Sequence, residues 1–175
     1  MGITAETTRS LTRPSKLRQP CSVDWTPNLQ GVQFNGTNEK ASTTLTPDFI
    51  HTGATLSYWV NLDNLTGSQQ MGCYTSSGKN FYLGLNGNLA CFSIHDVTEC
   101  SLDISADIPA GTWHHLALVA DAGTGTFYLD GIARDTSSYT PDAAKNPDAY
   151  FNIGAMSHGP GDTAVNWMEG KFDEV

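Results

Sequence analysis

The chain has 175 residues, 39% of them hydrophobic, with a formal charge of −9. That length suits one domain with a real core, and no stretch reaches the about 20 apolar residues of a membrane-spanning helix. The acidic balance argues against nucleic acid as the main partner, because phosphate neutralisation needs a basic face.

The charge is unevenly placed. Within the first eighteen residues Arg9, Arg13, Lys16 and Arg18 stand against Glu6 alone, a balance of +3, so the rest of the chain carries −12. Residues 1–24 are polar, punctuated by Pro14 and Pro20 and without hydrophobic periodicity, which predicts an extended basic arm ahead of a folded unit over 25–175. A cationic arm on an acidic body is expected to dock on an acidic surface, such as a neighbouring subunit or a lattice. The opening Met1-Gly2-Ile3-Thr4 has no apolar run of the secretory kind. The protein is therefore expected either to stay in the cell that makes it or to have lost a leader.

Seventeen glycines and eight prolines break the remainder into short apolar runs, the pattern of an all-β sandwich or barrel. Gly31 to Asn35 reads as the first strand and Asn35-Gly36-Thr37-Asn38 as a turn into a strand at 40–45. Residues 55–62 alternate cleanly, Leu56, Tyr58, Val60 and Leu62 on one side and Thr55, Ser57, Trp59 and Asn61 on the other. A weaker strand at 69–75 precedes the hairpin FYLGLNGNLACFSI. With Gly87-Asn88 as its loop, Leu83 faces Phe92 and Phe81 faces Ile94; with Asn86-Gly87, Leu83 faces Ala90 and Phe81 faces Phe92. Both registers keep an apolar face together, whereas a three-residue loop does not.

A strand at 97–104 leads to Gly111–Asp135, a meander of three strands. Its first turn falls within Asp121-Ala122-Gly123-Thr124-Gly125, where two glycines can take the positive φ of a short loop; its second is Asp130-Gly131. Residues 137–148 form a polar loop at the rim, 150–153 a strand, and His158 to Asp162 a second rim loop. The strand starting at Gly170 is expected to be cut short at Val175.

The four cysteines, at 21, 73, 91 and 100, lack zinc-site spacing. A two-residue loop at His95-Asp96 would set Cys91 opposite Cys100, close enough to bridge. Without a leader or a dense cysteine framework, free thiols in a reducing compartment are expected.

The segments GVQFNGTNEKAST, ATLSYWVNL, AGTWHHLALVADAGTGTFYLDGIARDT, FNIGAM and NWMEGKFDEV, in this order, resemble the laminin G-like, concanavalin A-like jelly-roll family over roughly residues 31–175. The resemblance implies two antiparallel sheets packed face to face, with rim loops as the usual binding region, and it implies calcium, held by aspartates and backbone carbonyls, as the metal to test. Asp173, matching the aspartate of F-D-E-V, is the candidate ligand, with the Asn35-Gly36 turn beside it. No cofactor is otherwise required.

Catalysis is not expected. The family's glycosidases resemble one another in an E-x-D-x-x-E strand motif that is absent here. Glu169 and Asp173 share a strand face but stand about 13 Å apart at strand rise, beyond the about 5.5 Å of a retaining pair, and read as surface charge on a terminal strand. His114 and His115 point to opposite faces and cannot share a metal. Trp59, a flat ring on a polar face, is the candidate platform for a sugar, while Trp113 and Trp167 are expected to be buried. His158 and Asp162 mark the rim loop that would complete a site.

The sequence thus predicts a non-catalytic binding or structural module. The first expectation is a virion protein, a phage capsid decoration or fibre component whose arm, through Arg9, Arg13, Lys16 and Arg18, docks on a larger assembly while the sandwich projects outward. The alternative is a secreted carbohydrate-binding or cell-adhesion module.

Overall fold

Alternating apolar side chains drive strands to bury one face, and here two sheets share one core. The computed structural model describes residues 31–43, 53–74, 80–95, 97–141, 150–156 and 163–175. One six-stranded sheet runs in the order β1 (Val32–Asn35), β12 (Glu169–Asp173), β3 (Ala54–Leu62), β8 (His114–Asp121), β9 (Thr124–Leu129), β10 (Ile132–Ser138). The other runs β2 (Ala41–Thr43), β11 (Tyr150–Ile153), β4 (Ser68–Tyr74), β5 (Asn80–Asn86), β6 (Leu89–His95), β7 (Val97–Asp103). Every pairing is antiparallel. The architecture is the expected antiparallel sandwich.

The core joins Leu56, Tyr58, Val60 and Leu62 of β3 to Phe81, Leu83 and Leu85 of β5. Tyr58 is fully buried, and its hydroxyl donates to the Leu83 carbonyl at 3.1 Å, tying the sheets together. Burial pushes the Tyr58 phenol well above its ordinary range. Phe92 and Phe127 stack across the same interior with centroids 6.3 Å apart.

The hairpin of β5 and β6 takes the register with Gly87-Asn88 as its loop, pairing Leu83 with Phe92 and Phe81 with Ile94. In the meander, Asp130 and Gly131 both have positive φ, as a two-residue turn with Leu129 opposite Ile132 requires. The first turn differs from expectation. Its positive-φ residues are Ala122 and Gly123, while Gly125 lies inside β9, where a Cβ would come 2.2 Å from the Ile94 Cδ1 methyl. Close packing, not turn geometry, is what that second glycine serves.

The expectation of free thiols is corrected at Cys91 and Cys100. They form a disulfide across β6 and β7, with Cα atoms 4.2 Å apart. Ile94 pairs with Val97, so the two-residue loop brings the cysteines face to face, with a register shift between Ala90 and Phe92 beside them. Adjacency across the hairpin decides the pairing, and the compartment argued from the amino terminus does not. Tyr82 and Met156 pack against the bridge in a cluster of their own. Cys73 is a buried free thiol, pushed up to about 12 by that burial.

Candidate functional site

The site is built where β12 begins beside the chain entering β4. Asn64, just beyond β3, folds its own loop: its Oδ1 accepts the Thr66 N–H at 2.9 Å and the Thr66 hydroxyl at 2.6 Å, the local turn that asparagine favours. Gln69 is 2% exposed and fixes that loop from below, donating to the Asn64 carbonyl at 2.9 Å and the Thr66 carbonyl at 3.3 Å. Its other side-chain atom, Oε1, accepts the Glu169 N–H at 2.8 Å. Across the cleft, the Asn166 side chain donates to Gln70 Oε1 at 2.8 Å, and the Gln70 N–H donates to the Asn166 carbonyl. Buried amides with all these bonds made are rigid supports.

These supports converge on Glu169. Its Oε2 accepts the Asn64 side-chain N–H at 2.5 Å. Gly36, at φ +72°, lies against it so closely that a Cβ there would sit 2.9 Å from the Glu169 Cβ. The result is an open cleft of about 380 Å³ at the sandwich rim, lined by Glu169, Asn64, Ser68 and the half-buried Trp167. Among the described residues, neither the Trp167 indole N–H nor Glu169 Oε1 has a protein hydrogen-bond partner. The volume is that of a small-ligand pocket, and the lining combines an aromatic ring with fixed donors and acceptors.

The residues singled out in the sequence are distributed differently. Trp59 is half-buried on the outward face of the first sheet, in one cross-strand row between Asp173 and His115, its ring centroid 5.3 Å from that of His115. It lies outside the rim cleft. Asp173 accepts the N–H of Glu174 through its own Oδ1. The Asn35-Gly36 turn is not beside Asp173: Asn35 pairs with Glu169, at the opposite end of β12. Among the described residues no three His, Cys, Asp or Glu side chains gather as a metal site. Arg9, Arg13, Lys16, Arg18, His158 and Asp162 lie outside the described residues.

His114 and His115 do face opposite ways. The His114 Nδ1 lies 2.9 Å from Asp130 Oδ2 and its Nε2 2.8 Å from the Thr112 hydroxyl, which also donates to the Pro109 carbonyl at 2.6 Å. Asp130 therefore does more than make its turn, since its other oxygen accepts the His115 N–H at 2.8 Å.

The cleft residues escape a reading of the sequence by itself. Strand spacing makes Glu169 a surface charge and the family segments make Trp167 core; Glu169 is instead held in the cleft and Trp167 is only half-buried. A local signal does exist in Asn64-Leu65-Thr66, an asparagine followed by a turn-forming threonine ahead of a glutamine pair. Nothing in the spacing links it to a carboxylate 105 positions away.

Residues 35–175 match the Laminin_G_3 family, described as the Concanavalin A-like lectin/glucanases superfamily. Among solved structures, the chain is similar to domains LG4-5 of the mouse laminin alpha1 chain, with a TM-score of 0.62 and 13% identity over 81% of this chain. It spans 39% of that laminin chain. A pentraxin of Limulus polyphemus follows, with a TM-score of 0.57 and 14% identity over 80% of this chain and 71% of its own. A putative carbohydrate binding protein from Bacteroides ovatus gives a TM-score of 0.58 and 13% identity over 82% and 43%. At these identities the likeness is one of fold. A search of curated protein sequences finds no match. The matched span covers the strands β2 to β12 and the whole rim cleft, and the chain belongs to the laminin G-type branch of the concanavalin A-like lectin/glucanases superfamily.

Proposed function

We propose that this chain is a non-catalytic saccharide-binding module that works in an oxidising, extracellular setting, and that the rim cleft is its binding site. The observation that carries the reading is the half-buried Trp167 beside a fixed Glu169–Asn64 pair in a cleft of about 380 Å³. An apolar ring face with polar groups held around it suits a sugar, which presents C–H groups on one face and hydroxyls at its edge. The Cys91–Cys100 disulfide supports the setting, because such bridges persist where thiols are not kept reduced. The fold shared with the putative carbohydrate binding protein from Bacteroides ovatus supports the ligand class.

A glycan array probed with the full chain and with Trp167→Ala tests this. Binding to a defined set of glycans that falls about tenfold or more in the variant is expected. Equal binding by both proteins would rule the cleft out as the site.

A second reading, assembly on a virion or another surface, draws support from the +3 arm on a body of −12. Deleting residues 1–20 should then abolish attachment to the partner surface while the sandwich stays folded. Attachment that survives the deletion would rule this reading out.

A further inference from the structure

Glu169 is the one ionisable side chain among the described residues that line the cleft. It is held from two sides: Asn64 bonds its Oε2 and Gln69 accepts its N–H, while Gly36, having no Cβ, lets its side chain pack close. Asp63, the residue before Asn64 in the chain, is bonded by Gln33 at 3.1 Å and does not line the cleft. Lys171, two residues along the same strand face, does not line the cleft. A ligand entering here meets a fixed negative charge with one oxygen still open to accept a hydrogen bond, and no cation among the described lining residues.

We propose that Glu169 is the specificity-determining residue of the cleft and that it restricts the ligand to saccharides without acidic groups, excluding sulfated, sialylated and uronic sugars. The proposal rests on the saccharide reading of this cleft. A sugar hydroxyl or amine can donate to Glu169 Oε1, whereas a sulfate or carboxylate brings like charge against a carboxylate that Asn64 holds in the cleft. Rejection by juxtaposed charge is a general route to specificity.

The test uses the full chain with Arg9, Arg13, Lys16 and Arg18 each changed to Ala, which removes the arm as a rival site for anions. Matched neutral and sulfated forms of one oligosaccharide are compared by titration calorimetry. The sulfated form should bind about tenfold or more weakly than the neutral one. Glu169→Gln should bring the ratio towards one. Ser68→Lys, which adds a cation to the cleft wall and leaves Glu169 in place, should also raise binding of the sulfated form. Rising salt should strengthen that form on the unaltered cleft, because screening weakens the repulsion. Equal or tighter binding of the sulfated form, or a ratio unmoved by both variants, would overturn the proposal while leaving the saccharide reading intact. Silence towards neutral and acidic sugars alike would overturn the saccharide reading itself, and this proposal with it.

Discussion

Asn64 donates its side-chain N–H to Glu169 at 2.5 Å, joining the loop after β3 to the first residue of β12 across 105 positions of sequence. Both residues line the rim cleft. Asn64→Ala should cost about 1–2 kcal/mol of stability, since it leaves a partly buried carboxylate oxygen without its donor and also unties Thr66. Chemical denaturation gives the stability, and sugar affinity should fall in the same variant.

Gly36 makes a related prediction. Its φ of +72° opposes any larger residue, and so does the 2.9 Å separation that a Cβ at this position would have from the Glu169 Cβ. Gly36→Ala should destabilise the fold by about 1–2 kcal/mol and displace Glu169, so that denaturation midpoint and sugar affinity drop together.

The Cys91–Cys100 bridge closes a loop with a sequence separation of 9. Replacing both cysteines with serine should cost roughly 2–3 kcal/mol, read as a lower denaturation midpoint that reductant no longer changes. In the native protein an alkylating reagent should leave the buried Cys73 untouched, because its thiol is pushed up to about 12.

Much of the fold is legible in these segments because its determinants are local. Alternation sets the inward face of β3, and turn chemistry sets the Asp130-Gly131 hairpin. The choice between two registers at 81–94 needs the whole sheet, because both preserve an apolar face. The cleft is not legible, for a physical reason: Glu169, Asn64 and Trp167 become a site only when β12 inserts between β1 and β3. Strand spacing measures Glu169 against Asp173, its neighbour along the strand. Its working partner arrives from the loop beyond the next strand.

At the other end of the first sheet, Arg134 bonds Asp107 at 2.8 Å and clamps the turn before β8 to β10. That hydrogen bond is the largest cause holding the Asp107 carboxyl below its ordinary range. A lowered carboxyl stabilises the fold above the ordinary carboxylate range, and the contribution is lost as pH falls through the lower folded value. Arg134→Ala should therefore reduce the acid-side loss of stability, as a pH series of melting curves would show, with a smaller difference at high salt because the pair is exposed.

On the proposed function a saccharide seats against Trp167 and Glu169 at the rim, and not against Trp59 on the outward sheet face. Amide and indole resonances followed by NMR while a glycan bound on the array is titrated separate the two directly. With the sugar at the rim, the Trp167 indole N–H and the side-chain amides of Asn64, Gln69 and Asn166 shift together and saturate at one affinity. Shifts confined to Trp59 and its neighbour His115, with Trp167 unmoved, would contradict it.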